Sequence, residues 1–293
     1  MIKCGALRNI LAAFGAVFLG VFALAVLIGI FTGGGVTGDK VAVVDIQGVI
    51  TDSYEVNQTL RDLGEREDVK AVVLRIDSPG GAVGPSQEIH SEVLRLREKK
   101  PVVASMGSIA ASGGYYTAVA AEKIMANPGT ITGSIGVIVE FINAQELLGK
   151  IGLKGYVVKS GKYKDVGSPL REMEKDEKEY LQVLINDVNG QFIEAVASGR
   201  GLKTEVVRKI ADGRIFTGAQ AKELKLVDEL GGLSDAIELG ASLAGLEEEP
   251  VVIYPERQKM SFWKTFSGGA SIDKLTELFT GLRVMYMIEN PAR

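Results

Sequence analysis

The chain has 293 residues, with 33 Lys and Arg against 37 Asp and Glu and a formal charge of −4. This length allows one large domain or two small ones. The charge balance lacks the basic excess of a dedicated nucleic-acid binder, so no nucleic-acid partner is expected. One cysteine, Cys4, and one histidine, His90, exclude an internal disulfide and a His/Cys zinc cluster. No metal or other cofactor is expected, and a catalytic device must use His90 or no histidine at all.

Residues 10–31 hold only apolar side chains and three glycines, and no charge falls between Arg8 and Asp39. At about 1.5 Å rise per residue the run covers a hydrocarbon layer of roughly 30 Å. Lys3 and Arg8 precede it, so the positive-inside rule leaves residues 1–8 in the cytoplasm. The rest of the chain is then expected on the outer face of the cytoplasmic (inner) membrane. The run exceeds a signal-peptide core, and GGGVTG at 33–38 lacks an A-x-A cleavage pattern. Residues 9–32 are therefore expected to be a single-pass anchor, with 33–40 a flexible linker.

Beyond the linker, 41–50 (VAVVDIQGVI), 71–76 (AVVLRI) and 101–106 read as strands covered on both faces. A helix over 85–97, with Ile89, Val93 and Leu94 on one face, separates the second from the third. That βαβ order predicts a mostly parallel sheet with helices against it. Further strands are expected at 123–126, 135–139 and 155–159. After Pro169 the pattern turns helical: 171–197 carries Leu181, Leu184, Val188, Phe192 and Val196 near the helical period. Shorter helices are expected at 203–210, 218–224 and 233–244. The catalytic α/β domain is expected over 41–245. The stretch 246–293, with Phe262, Trp263, Phe266 and an amphipathic segment at 272–279, reads as a docking or oligomerisation tail.

Three glycine-rich turns carry the chemistry. DSPGG at 77–81 follows a buried strand. Its Gly80 and Gly81 permit positive φ and close approach, and successive N–H groups there can point at a carbonyl oxygen. ASGGYY at 111–116 sets Ser112 at a strand-to-helix junction, where free N–H groups and the helix dipole favour developing negative charge. An ordinary N-cap serine stabilises a helix by roughly 1 kcal/mol with no chemistry. Gly113 and Gly114 behind it suit a crowded nucleophile better than a simple cap. GTITGSIG at 129–136 adds hydroxyls, Ser134 among them, that alone read as turn and cap residues.

A serine without a histidine needs another base, and a lysine serves once burial makes its amine neutral. His90 reads as a solvated or hydrogen-bonded helix residue and is not placed in catalysis. SGKYKD at 160–165 offers Lys162 and Lys164. If a strand persists there, alternation puts both on one side, so periodicity leaves the choice open. The bland reading of either is a solvated, protonated surface charge.

DSPGG, MGSIAASGGYY, GTITGSIGV and SGKYKD, in that order, resemble the signature of the signal peptide peptidase A family in its short, single-catalytic-domain form. These are S49-type serine proteases. The resemblance spans about residues 41–243. It implies a Clp protease/crotonase-like α/β fold, a repeated ββα spiral with a mostly parallel sheet, preceded by one transmembrane helix. It assigns Ser112 as nucleophile and Lys164 as general base, with Ser134 holding the lysine amine. The oxyanion donors become the N–H of Gly113 and one from Gly80 or Gly81. It also implies a homo-oligomeric ring or dome of eight protomers on the outer face of the cytoplasmic membrane, with membrane lipid as a partner, in which serine and lysine sometimes come from different chains.

On this reading Lys164 takes the Ser112 proton as the hydroxyl attacks a peptide carbonyl, and later activates water on the acyl-enzyme. Its ammonium must then titrate near 7 rather than near 10.4. The implied substrates are signal peptides and unfolded or misfolded membrane and secreted polypeptides. Two other readings remain: a membrane protease specific for a stomatin-like partner, and a crotonase-fold acyl-CoA enzyme using the same paired N–H groups on a thioester enolate. A noncatalytic scaffold is a third.

Overall fold

The computed structural model describes residues 15, 17–24 and 38–255, and the backbone of 285–287. The chain divides into two units, Met1–Asp39 and Lys40–Arg293. In the first, residues 15 and 17–24 are helical, with Phe18 and Phe22 exposed. Among the described residues no helix is long and apolar enough to cross a membrane. The rest of the anchor expected at 9–32 lies outside the described residues, as do the aromatic group at 262–266 and the segment at 272–279.

The second unit is built on β1 (Lys40–Gln47), β2 (Val69–Ser78) and β4 (Val102–Ala111), which run parallel side by side. Alternate residues of these strands go to opposite faces, and both faces are covered. Ala42, Val44, Val72 and Leu74 pack with Leu60 and Leu63 of α1 (Tyr54–Glu65) and Ile89 and Val93 of α2 (Val83–Arg97). Val41, Val43, Ala71, Val73 and Val103 pack on the other face with Ala236 and Ala241 of α8 (Leu233–Leu243). Burial on both sides is why these strands read as continuous apolar runs.

The full strand order is β7–β6–β4–β2–β1–β9, where β6 is Ile131–Gly133, β7 Ile215–Thr217 and β9 Val251–Ile253. β5 (Lys123–Ala126) pairs with β4 and with β8 (Glu229–Leu230). Every pairing in this sheet is parallel except β6 with β7. This mixed α/β architecture with its largely parallel sheet fits a Clp protease-like fold.

β4 divides one edge between two strands: Val103, Ala104, Ser105 and Met106 face β5, whereas Ile109, Ala110 and Ala111 face β6. At the same point its register against β2 slips, with Ile76 opposite Met106 but Ser78 opposite Ala110. The extra β4 residues form a bulge that re-aims the end of the strand. Asp77 occupies it: its Oδ1 accepts the Ile109 N–H at 3.2 Å, and a Cβ on Gly107 would lie 2.8 Å from its Oδ2.

Three sequence expectations need correction. The strand expected to end at 106 continues to Ala111, because its far end finds β6 as a new partner. The strand expected at 135–139 forms earlier, at Ile131–Gly133, where β4 and β7 flank it. Residues 155–159 form no strand; they are exposed and no ladder runs beside them. The chain instead closes into a 3₁₀ turn at Lys162–Asp165, so the alternation argument for the two lysines does not apply.

The long helix α5 spans Lys175–Arg200 and starts at a capping box between Glu174 and Glu177. His90, expected as a solvated or hydrogen-bonded helix residue, is half-buried on α2. Its ring packs on Tyr116 at 4.9 Å, and Tyr116 packs edge-on to Phe192 of α5 at 5.0 Å. Burial, with Arg97 adding to it, pushes the imidazole down to about 4.

Candidate active site

Ser112 lies at the end of β4 and opens the short helix α3 (Gly113–Ala118). It is 1% exposed, with φ 51° and ψ −117°, a conformation that a non-glycine residue holds only where neighbours enforce it. Those neighbours are evident. Its N–H donates to the Gly133 carbonyl at 2.8 Å, and its carbonyl accepts the Tyr116 N–H at 2.8 Å. Although Ser112 is the N-cap residue, its side chain makes no capping hydrogen bond. The capping explanation of this serine therefore fails, and its hydroxyl is left for another task.

α3 is held close to the preceding turn. A Cβ on Gly114 would lie 2.8 Å from the Ser78 carbonyl oxygen, so only glycine lets the helix approach. At its other side the Tyr115 hydroxyl donates to the Leu226 carbonyl at 2.9 Å. The bulge behind Ser112 is tied down by the GTITG hydroxyls: Thr130 donates to the Gly107 carbonyl and Thr132 to that of Ala110, both at 2.7 Å. Ser134, with φ 50°, is buried next to Gly133, and its N–H donates to the Arg214 carbonyl at 2.9 Å.

The DSPGG turn forms β3 (Gly80–Ala82) beside α3. The Gly80 N–H, at φ 106°, donates to Ser78 Oγ at 3.1 Å. Gly81 bridges Ile50, whose carbonyl oxygen would lie 2.1 Å from any Cβ placed there. The structure thus brings together Ser112, Gly113, Gly133–Ser134 and the Gly80–Gly81 strand.

It does not bring Lys164 to them. Lys164 is exposed on the 3₁₀ turn, and among the described residues no hydrogen bond joins it to Ser112 or Ser134. The two candidate lysines differ in their surroundings. Lys162 is ion-paired with Asp176, whose hydrogen bond raises its pKa, the opposite of what a neutral base requires. Lys164 makes no ion pair among the described residues. Its turn is fixed through the next residue: Arg171 Nε and Nη2 donate to the Asp165 carboxylate at 2.9 and 2.8 Å, and Lys159 Nζ donates to it at 2.5 Å. Arg171 also donates to both carboxylate oxygens of Glu177, which is 1% exposed in the first turn of α5. These cations hold the Asp165 carboxyl well below the usual range, Arg171 most of all.

Sequence reasoning missed two positioning residues. Asp77 stood inside a motif read only for its glycines, and a carboxylate next to a glycine turn was the available signal. Arg171 had none, because its carboxylate partners meet only in the fold.

Residues 95–247 match the family model of peptidase family S49, a span that includes Ser112, Ser134 and Lys164. The chain belongs to peptidase family S49, the signal peptide peptidase A family. It is 46% identical over 237 residues to a Synechocystis protein described as a candidate protease, covering 80% of this chain and 85% of that one. It is 34% identical over 234 residues to an Enterococcus faecium protein described as a candidate signal peptide peptidase, covering 75% and 68%. A chloroplastic serine protease of Arabidopsis thaliana matches at 34% over 229 residues, covering 77% of this chain and 34% of the relative. As an S49 family member the chain is a protease acting on polypeptides, which displaces the acyl-CoA reading.

Proposed function

We propose that this S49 protease is a membrane-anchored serine endopeptidase with a Ser112–Lys164 dyad, acting on signal peptides and unfolded membrane or secreted polypeptides. The observation that carries the dyad is the contrast between its members. Ser112 is buried, strained and freed from capping, while Lys164 stands exposed on a turn whose neighbours are fixed by Arg171.

The lysine comes from a neighbouring copy of the chain. The arm leading to Lys164 exposes Ile142, Leu147, Ile151, Leu153, Tyr156 and Val158, an apolar surface that a second copy would cover. A head-to-tail contact of this kind closes into a ring of eight protomers. In the ring the Lys164 amine leaves water, which lowers its proton affinity and lets it act as base. Ser134 accepts a hydrogen bond from that amine and orients it.

Neutral Lys164 then removes the Ser112 proton as Oγ adds to the scissile carbonyl. The N–H groups of Gly113 and Gly81 stabilise the oxyanion. Gly81 is preferred to Gly80 because the Gly80 N–H already serves Ser78 Oγ. Collapse of the tetrahedral intermediate releases the amine product with the proton from Lys164, and water activated by the same amine frees the acyl-enzyme. Residues 9–32 anchor the enzyme in the inner membrane with its N-terminus inside, the catalytic part over 41–245 outside, and 246–293 as a docking tail. This puts the site near apolar peptides left in the bilayer.

The test uses the full chain in detergent with a fluorogenic apolar peptide. Ser112→Ala and Lys164→Ala each abolish hydrolysis, whereas Lys162→Ala retains it. Mixing the two inactive variants at equal amounts and exchanging subunits restores about one quarter of parental activity, because a head-to-tail ring joins intact serine to intact lysine at that frequency. No recovery places the lysine in the same chain; full activity of Lys164→Ala removes it from the dyad.

A further inference from the structure

Ser78 is the last residue of β2 and is wholly buried. Its hydroxyl oxygen accepts the Gly80 N–H at 3.1 Å. Its carbonyl oxygen is the backbone atom that would meet a Cβ on Gly114. Gly80 precedes Gly81 and Gly114 follows Gly113, so Ser78 touches the chain neighbour of each amide assigned above to the oxyanion.

The hydroxyl restrains the freest residue of this turn. Pro79 presets its own φ and has no N–H, whereas Gly80, at φ 106°, carries no Cβ to hold it in place. The Gly80 carbonyl and the Gly81 N–H belong to one planar peptide unit and point to opposite sides. The carbonyl end accepts the Ile50 N–H at 2.9 Å, and the Ala82 N–H donates to the Ile50 carbonyl at 2.8 Å. Alternation along the strand then turns the Gly81 N–H to the edge away from Ile50. Rotation at Gly80 swings that amide, and the bond to Ser78 Oγ opposes the rotation. A serine hydroxyl bonding an amide two residues on is a common turn device. Here the same residue also bears, through its carbonyl, on the helix that Ser112 begins.

We propose that Ser78 is a positioning residue that sets the separation and aim of the two oxyanion donors, Gly113 and Gly81. This rests on the reading of Ser112 as nucleophile, and Ser78 acts through Gly80 and Gly114 rather than on the reacting atoms. Donor aim counts most in the transition state, because the oxyanion occupies a position that the ground-state carbonyl oxygen does not. Loss of the Ser78 hydroxyl therefore lowers kcat and leaves KM nearly unchanged.

The experiment uses the full chain in detergent with the fluorogenic apolar peptide. Ser78→Ala is expected to lower kcat about ten- to thirtyfold, less than outright loss of a donor, with KM within about twofold of the parent. Ser78→Thr keeps the acceptor and is expected to recover most of the loss. A matched inhibitor pair separates donor aim from packing. A peptide aldehyde forms a hemiacetal with Ser112 and leaves its oxygen at the oxyanion position, whereas the corresponding peptide alcohol binds without adding. Ser78→Ala is expected to weaken the aldehyde in step with kcat and to leave the alcohol unchanged. Ser78→Cys, of nearly the same volume with a weaker acceptor, takes the place of alanine if thermal unfolding shows that the smaller side chain unsettles the fold. Unchanged kcat, equal weakening of aldehyde and alcohol, or a threonine variant no better than alanine overturns the proposal. Retained hydrolysis by Ser112→Ala is a separate result, since it removes the nucleophile itself.

Discussion

The amide of Ser112 donates to the carbonyl of Gly133 at 2.8 Å, which ties the end of β4 to the turn that carries Ser134. Both serines have positive φ, 51° and 50°, in a chain where Lys225 is the other non-glycine residue with this feature among those described. Each has its amide engaged by a backbone carbonyl, so the strain is maintained by the ladder rather than by either side chain.

Asp77 sets where β4 bends. Asp77→Ala leaves the Ile109 N–H without its acceptor and opens the space beside Gly107, costing about 1–2 kcal/mol of stability. We expect kcat to fall about tenfold through misplacement of Ser112. Asp77→Asn keeps an acceptor and should lose much less. Thermal unfolding and steady-state kinetics on both variants check this, and an unchanged kcat in Asp77→Ala would sink it.

Gly114→Ala forces a Cβ toward the Ser78 carbonyl, which lies 2.8 Å away and belongs to the backbone. The helix must move, with an expected cost of about 1–3 kcal/mol. Gly190 in α5 is the control, since a Cβ there meets nothing within 4 Å and no proline follows it. Gly190→Ala should stabilise by about 0.5–1 kcal/mol. Denaturant unfolding of the pair separates close approach from general glycine effects.

Arg171 joins Asp165 to a buried Glu177. Arg171→Gln leaves that carboxylate without a counter-charge, and about 3 kcal/mol of stability should be lost. The Lys164 turn loosens with it, so kcat should fall while KM changes little. Adding Glu177→Gln should recover stability but not kcat, because Asp165 remains unclamped. Recovery of both would show that the arginine serves the fold alone.

His90 gives stability a pH dependence of defined sign. Its folded value lies near 4, below its ordinary value, so as pH falls the unfolded chain takes up the proton first. Stability is therefore full above about 6.5 and declines toward 4, by about 2 kcal/mol once partial exposure is allowed for. Because His90 is the chain's one histidine, the decline between pH 6.5 and 5 belongs to it. His90→Gln should flatten the stability profile in that interval, as followed by urea unfolding at a series of pH values.

Legibility in the sequence followed the range of the forces involved. The central strands were readable because burial on both faces leaves continuous Val and Ile. Short strands were readable unevenly: β5 forms at 123–126 as expected, but β6 was misplaced and 155–159 was read as a strand, since apolar alternation indicates exposure pattern but not whether a partner exists. The Ser112 junction was readable because two glycines after a serine report a local steric demand. Asp77 escaped because it acts on Ile109, 32 residues away, and Arg171 because its two carboxylates, each six residues off, meet only when the turn packs on α5.

By itself, the sequence determined which residue types are available for chemistry: one histidine, no disulfide, three glycine turns, a serine and two lysines. It also determined the parallel α/β core, because strand covering and helical period are written in local patterns. Only the tertiary structure decided that Ser112 does not act as a cap, that Lys162 is committed to Asp176, and that Lys164 is presented outward. Those facts depend on hydrogen bonds and ion pairs between separate segments, or on contacts that a four-residue turn permits and a strand does not. Local patterns carry no record of them until the sheet brings the segments together.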